Sequence, residues 1–148
     1  MKLILLAAGK SSRIFNKIKV NKCLIKIKSK TLIKKLINHT KTSKIKSIDI
    51  VTGFRAKNIE NELKGLKVNF IKNKNYANTD MVYSAMLSLK NTNVDVIICY
   101  TDIVVEKKIF TKLTSKKFNK ITVPHLENWK NVWKNRKKKI FDDAETFI

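Results

Sequence analysis

Apolar runs and amphipathic segments alternate along the whole chain. Short runs rich in leucine, isoleucine and valine predict buried strands over residues 3–6, 45–52, 66–71, 94–100 and 120–123. Apolar positions at helical spacing predict helices over residues 31–39, 58–63, 80–89 and 103–113. The run at 94–100 is apolar enough to predict a central strand. This order, with short connections, predicts an α/β fold: a Rossmann-like three-layer sandwich with a mostly parallel central sheet.

The predicted topology also fixes where a ligand should bind. In open parallel sheets, ligands bind beyond the carboxyl ends of the strands. We therefore expect the loops after Leu6, Thr52 and Ile71 to lie on one edge of the molecule. The helix that begins near Thr79 or Asp80 directs its positive end toward the same edge.

The first strand runs into a loop with the character of a phosphate site. The apolar run stops at Ala7-Ala8-Gly9 and continues as Lys10-Ser11-Ser12-Arg13. Small residues let an anion approach backbone N–H groups, and the hydroxyls and cations add donors and positive charge. A P-loop is excluded, because its first glycine would have to occupy the position of Ile4. A tight turn without a ligand is the alternative interpretation.

Two further features admit both a functional and a structural interpretation. Asp102 follows the strand at 94–100, where an α/β enzyme can hold Mg²⁺ through a hard carboxylate oxygen, but a turn aspartate would satisfy local backbone N–H groups equally well. Trp129 and Trp133 are spaced to share one helix face. They indicate either core packing or an aromatic surface for a substrate, including a cationic one.

Composition narrows the class of protein. A chain of 148 residues with 43% hydrophobic residues suits one globular domain with a real core. The net charge of +22 suggests nucleic-acid binding, but it comes almost wholly from scattered lysines, without an aromatic or zinc-binding pattern. We therefore predict no specific nucleic-acid partner. Cys23 and Cys99 form no metal or disulfide motif, and no apolar run approaches the ~20 residues of a membrane span, so we expect a cytoplasmic protein.

Three segments in order resemble one family. Residues 6–13 fit the loop L-A-[AG]-G-x-x-[ST]-R and are followed by Lys22, and residues 78–84 and 100–102 supply the later motifs. Together they resemble the MobA-like and sugar-phosphate nucleotidyltransferases, above all the cytidylyltransferases that activate phosphocholine or aminoethylphosphonate. Two departures stand out: Asn21 replaces a common proline, and Asp80 replaces an asparagine.

The resemblance implies a Mg²⁺-dependent nucleotidyltransferase. It would transfer a nucleoside monophosphate, with CTP the favoured donor, to a small phosphorylated or phosphonate acceptor and release pyrophosphate. The implied roles are Mg²⁺ binding for Asp102, contact with the α-phosphate for Lys22 and contact with the β- and γ-phosphates for Arg13. The implied nucleotide contacts are Leu6, Ala7, Ala8, Gly9, Ser11, Ser12 and Asp80. The implied acceptor contacts are Tyr83, Trp129, Trp133, Asp143 and Glu145.

The family domain normally continues beyond this length. We therefore expect residues 1–148 to form a single nucleotidyltransferase domain that is incomplete at its C-terminus. The alternatives are a catalytically incomplete, nucleotide-binding relative and a basic nucleic-acid-binding protein.

Overall fold

The computed structural model describes residues 1–41, 44–90 and 92–133, without the side chains at positions 13, 14 and 133. The chain divides into two compact units, Met1–Lys116 and Lys117–Ile148. The strands are β1 Lys2–Ala7, β2 Lys26–Ile27, β3 Lys30–Thr31, β4 Ser47–Thr52, β5 Asn69–Lys72 and β6 Val96–Tyr100. The α-helices are α1 Ser12–Ile18, α2 Leu32–His39, α3 Ala56–Glu62, α4 Met81–Leu89, α5 Lys107–Ser115 and α6 Trp129–Trp133. A short 3₁₀ helix spans Lys22–Leu24.

Within the described residues, the main sheet has four strands in the order β5-β4-β1-β6, and every neighbouring pair is parallel. Strands β2 and β3 form a separate antiparallel pair. Because β1 lies between β4 and β6, its carboxyl end opens toward the loops that follow both neighbours. The predicted α/β fold with a mostly parallel central sheet is confirmed.

Apolar side chains fill both faces of the sheet and make three layers. On one face, Leu3 and Leu5 of β1 belong to a buried cluster with residues of α2, α3 and α5, namely Ile33, Leu36, Ile59 and Phe110. On the other face, Ile4 and Val51 pack with Leu89 of α4. Strand side chains alternate between these two layers, and their burial supplies the main driving force for folding.

Two sequence predictions about strands are wrong. Residues 120–123 form no strand, and Ile121 is 97% exposed, because β-prone residues need a neighbouring strand to pack against. Strand β6 lies at the edge of the sheet within the described part of the chain, although its apolar sequence predicted a central position. Ile97 and Cys99 of β6 pack on the core, whereas Ile98 is 46% exposed, so this apolar run reflects one covered face and does not require a strand on both sides.

Helix boundaries agree with the sequence pattern to differing degrees. The predicted helix 31–39 matches α2 with Thr31 at its N-cap, and 80–89 matches α4 with Asp80 at its N-cap. The predicted helix 103–113 begins only at Lys107. Among the described helices, none has the length and hydropathy needed to cross a bilayer.

A buried carboxylate ties the sheet to α4. Asp49 of β4 accepts hydrogen bonds from Asn69 Nδ2 at 2.9 Å and Ser88 Oγ at 2.7 Å, and it pairs with Lys2 Nζ at 3.0 Å. Burial by itself raises the pKa of Asp49, but these three partners outweigh burial and hold the pKa below its ordinary value. The folded state therefore favours the ionised carboxylate.

We predict that Asp49→Ala lowers the free energy of unfolding near pH 7 by about 3 kcal/mol, because Lys2 loses its buried partner. Since the folded pKa of Asp49 lies below the unfolded one, this contribution is complete above roughly pH 4 and is lost as the pH falls through the folded pKa. Urea unfolding at pH 7 and pH 3 measures the difference between parent and variant at each pH. Glu106→Ala, which removes an exposed pair with Lys108, should leave stability unchanged. A deficit in Asp49→Ala that does not shrink in acid would contradict the prediction.

Candidate active site

A cleft of about 220 Å³ opens at the carboxyl edge of the sheet, where the sequence predicted a ligand site. It is bordered by the loop after β1, the 3₁₀ helix, the segment leading into α4 and the end of β6. The predicted site residues that line it are Leu6, Ala7, Ala8, Gly9, Ser11, Lys22, Asp80 and Asp102. Residues that the sequence did not assign to the site also line it, including Asn21, Tyr76 and Ser84.

The loop after β1 leaves room for a ligand over its backbone. A Cβ atom built on Gly9 meets no atom within 4 Å. Ser11 has a φ of 57°, a left-handed conformation that is uncommon for residues other than glycine. Its Oγ accepts a hydrogen bond from the backbone N–H of Lys22 at 3.1 Å, which joins the two loops on this side of the cleft.

Lys22 and Asp102 face each other within the cleft. Lys22 begins the 3₁₀ helix, Asp102 follows β6, and the Nζ and Oδ2 atoms are 3.2 Å apart. The two side chains are 32% and 40% exposed, so water and ligands can reach the pair. An exposed ion pair of this kind contributes little to stability, and its charges remain available to a ligand.

Buried polar groups and thiols support the end of β6. Thr101 is buried, and its Oγ1 donates to the carbonyl oxygen of Leu6 at 2.8 Å, which fixes the start of the Asp102 turn against β1. Cys23 and Cys99 are free and buried, and burial together with the nearby Asp102 charge raises the pKa of each thiol to about 12. Both thiols are therefore neutral near pH 7 and offer no thiolate nucleophile.

The segment before α4 is organised by Asn73, a residue that the sequence did not single out. Asn73 is 1% exposed, and its Nδ2 donates to Thr79 Oγ1 and Ser84 Oγ, both at 3.0 Å. Asp80 caps the helix, because its Oδ1 accepts from the N–H of Tyr83 at 2.8 Å. These bonds hold the N-terminus of α4 at the cleft. Tyr83 is half-exposed and is absent from the cleft lining.

The turn after β4 fits tightly against the loop after β1. A Cβ atom built on Gly53 would lie 2.6 Å from Tyr76 Cβ and 2.8 Å from the carbonyl oxygen of Ala8. Only glycine allows this close approach. The ring of Tyr76, which lines the cleft, also packs against Phe54, with 6.2 Å between ring centroids.

Family models and similar proteins place this chain among known proteins. The model of the MobA-like NTP transferase domain matches residues 3–131. The chain belongs to this family. The resemblance seen in the sequence is thereby confirmed, and the matched range includes the loop after β1, Lys22 and Asp102.

Similar proteins of this nucleotidyltransferase family include several cytidylyltransferases. The CTP:phosphoglutamine cytidylyltransferase of Campylobacter jejuni subsp. jejuni is 30% identical over an alignment 154 residues long, gaps included, that covers 99% of this chain and 60% of that protein. The chain therefore spans less than two thirds of that relative's length. The structure of the CTP:phosphocholine cytidylyltransferase of Streptococcus pneumoniae has a TM-score of 0.60 at 28% identity, covering 68% of this chain and 44% of that one.

A nucleotidyl transferase from Methanothermobacter thermautotrophicus has a TM-score of 0.67 at 20% identity, covering 77% of this chain and 56% of that one. At that identity the likeness shows the fold alone. It agrees with the Rossmann-like arrangement of the described strands and helices.

The remaining predicted site residues of the nucleotidyltransferase chain lie in α1, in the second unit or outside the described residues. Ser12 is the exposed first residue of α1 and is absent from the cleft lining. Arg13 lies in α1, but its side chain is not described. Trp129 and Trp133 begin and end α6 in the second unit. Asp143 and Glu145 lie outside the described residues.

We predict that the glycines in the loops after β1 and β4 respond differently to substitution. Gly53→Ala should destabilise the fold by about 1–3 kcal/mol, because the new methyl group overlaps Tyr76 and Ala8. Gly9→Ala should change stability by no more than about 0.5 kcal/mol, because its methyl group enters open space. Urea unfolding of both variants measures the contrast. Equal losses would mean that the space over Gly9 is not open.

Proposed function

We propose that this protein transfers CMP from CTP to a small phosphorylated or phosphonate acceptor and releases pyrophosphate. The observation that carries the proposal is that Gly9, Lys22 and Asp102 line the same cleft, in a chain of the nucleotidyltransferase family. Two similar proteins are named CTP-dependent cytidylyltransferases, which supports CTP as the donor. One of them is named for phosphoglutamine and the other for phosphocholine, so a phosphorylated small molecule is the favoured acceptor class.

In the proposed reaction, an acceptor phosphate or phosphonate oxygen attacks the α-phosphorus of CTP in line. The new P–O bond forms as the bond from the α-phosphorus to the bridging oxygen breaks, and pyrophosphate leaves with that electron pair. The attacking oxygen is already ionised near pH 7, so no side chain has to remove a proton. Catalysis then depends on positioning and charge neutralisation.

Lys22 supplies the positive charge for this step. Its Nζ has a carboxylate partner 3.2 Å away in Asp102 and is a third exposed, so it can turn to an α-phosphate oxygen without a large movement. The open backbone at Gly9 gives the nucleotide phosphates a surface to approach. Arg13 is proposed to contact the β- and γ-phosphates of the nucleotide.

Asp102 fits the requirements of a Mg²⁺ ligand. Mg²⁺ is commonly held by one or two carboxylates, with water and substrate phosphates completing its shell. Asp102 is a partly exposed carboxylate in the cleft of about 220 Å³, while no group of three or more ligating His, Cys, Asp or Glu side chains occurs among the described residues. We propose that Asp102 holds Mg²⁺, which when bound would neutralise charge on the phosphates.

The acceptor contacts remain a prediction from the sequence. Tyr83, Trp129, Trp133, Asp143 and Glu145 are proposed for them, and the acidic members suit an acceptor that carries an amine or a quaternary ammonium group. A cytoplasmic location is likewise proposed. A nucleotide-binding relative without turnover, the alternative that the sequence left open, is the second candidate.

The proposal is tested by pyrophosphate release from the purified chain. Each of the four NTPs is combined with phosphocholine, phosphoglutamine, aminoethylphosphonate or a sugar phosphate, with and without Mg²⁺. We expect Mg²⁺-dependent release with CTP and one acceptor. Nucleotide binding without release in any combination would reject catalysis and support the second candidate.

We predict that Lys22→Ala lowers kcat by about 100- to 1,000-fold while changing CTP affinity only a few-fold, because its charge matters most as negative charge develops. Lys34→Ala is the matched control, since Lys34 forms a similarly exposed pair with Glu62 at 2.9 Å outside the cleft lining. Steady-state kinetics and CTP titration measure both variants. Parent-like turnover in Lys22→Ala would remove Lys22 from the mechanism.

A further inference from the structure

One residue, Phe54, joins two loops that border the cleft. The backbone N–H of Phe54, in the turn after β4, donates to the carbonyl oxygen of Ala8 at 3.0 Å. The carbonyl oxygen of Phe54 accepts from Asn21 Nδ2 at 2.8 Å. The loop that carries Gly9 and the residue just before Lys22 are thus held by opposite sides of one residue.

Burial of the Asn21 side chain leaves one of its polar atoms without a hydrogen bond to any described residue, which opposes folding. Asn21 is 2% exposed, and its Oδ1 has no hydrogen-bond partner among the described residues. A buried acceptor without a partner opposes folding, so such groups call for a compensating role. The amide cannot turn over to satisfy Oδ1, because only Nδ2 can donate to the Phe54 carbonyl. The compensating interaction is the bond to Phe54.

The next residue in the chain is Lys22, and its position depends on what holds Asn21. The backbone N–H of Lys22 donates to Ser11 Oγ at 3.1 Å, and its Nζ lies 3.2 Å from Asp102 Oδ2. The Lys22 backbone is therefore held through Asn21 on one side and Ser11 on the other. Phe54, which holds Asn21, follows β4, and Ser11 follows β1, so both hydrogen bonds attach Lys22 to loops at the carboxyl edge of the sheet.

We propose that Asn21 is a positioning residue: its hydrogen bond to the Phe54 carbonyl oxygen holds Lys22 in place at the cleft. Its effect on turnover rests on the proposed cytidylyltransferase function. A misplacement of about 1 Å in a catalytic group can lower the rate by about 100-fold. Asn21 itself needs no contact with the reacting atoms for this effect.

A second variant, Asn21→Pro, separates the effect of the Asn21 side-chain hydrogen bond from the effect of the Asn21 backbone conformation. Its φ of −61° and ψ of 141° lie in the region that proline adopts. Asn21→Ala removes the bond and leaves the backbone free, whereas Asn21→Pro removes the bond and restricts φ near its present value. Lys22 should therefore stay closer to its parent position in the proline variant than in the alanine variant.

The experiment measures two quantities in the full chain. Steady-state kinetics give kcat and KM for CTP, and NMR gives the hydrogen-exchange rate of the Lys22 amide, which needs no catalysis. The control is Asn69→Ala, which removes one side-chain hydrogen bond, to Asp49, from outside the cleft lining.

For Asn21→Ala we expect kcat to fall by about 10- to 100-fold with KM nearly unchanged, and the Lys22 amide to exchange faster. Asn21→Pro should lie between this variant and the parent, and Asn69→Ala should match the parent in kcat. Unchanged exchange at Lys22, unchanged kcat, or an equal loss of kcat in Asn69→Ala would overturn the proposal.

The failure of the proposed function would be visible separately. If the parent shows no turnover with any acceptor, the exchange rate of the Lys22 amide in Asn21→Ala still decides the positioning role. Faster exchange than in the parent and in Asn69→Ala supports it, and unchanged exchange overturns it.

Discussion

Parallel pairing of β1 with both β4 and β6 is the constraint from which the cleft follows. Parallel strands end on the same edge of a sheet, so the loops after these three strands must meet. The loop after β1 brings Gly9, the turn after β4 brings Gly53, and the turn after β6 brings Asp102. Buried apolar residues on both faces of β1 keep this strand in the middle of the sheet. The candidate site is therefore a consequence of strand order.

Hydrogen bonds then fix the loops that the strand order brings together. Thr101 bonds the end of β6 to Leu6 of β1, and Phe54 bonds the turn after β4 to Ala8. Asn73 fixes the segment that leads into α4. Each of these bonds attaches a loop to the sheet or to another loop, so the cleft is shaped before a ligand binds. Preformed charge and backbone positions are what nucleotidyl transfer requires of a protein.

Features encoded locally were predictable from the sequence. The abrupt change at Ala7 from an apolar run to small and polar residues located the end of β1 and the open loop. Helical spacing located α2 and α4, and of the two residues expected to cap α4, Thr79 and Asp80, the N-cap is Asp80. In each case neighbouring residues in the chain carry the signal, so no tertiary contact had to be known.

Features that depend on tertiary contacts were missed or wrong. The bond from Asn21 to Phe54 joins residues 33 positions apart, and no local pattern indicates it. The only sequence sign was that Asn21 replaces a proline common in the family. Ile121 carries strand propensity but has no neighbouring strand to pack against, so the predicted strand there was wrong. Asp143 and Glu145 lie outside the described part of the chain, so the predicted contacts there remain predictions.

The central claim is that nucleotide binds where the loops after β1 and β6 meet Lys22. Hydrogen exchange followed by mass spectrometry, with and without CTP and Mg²⁺, tests it directly. We expect CTP to slow exchange in residues 7–12, 21–24 and 100–102, and to leave α2 and α5 unchanged. Saturating CTP that protects none of these three segments, or that protects only the opposite edge of the sheet, would contradict the account.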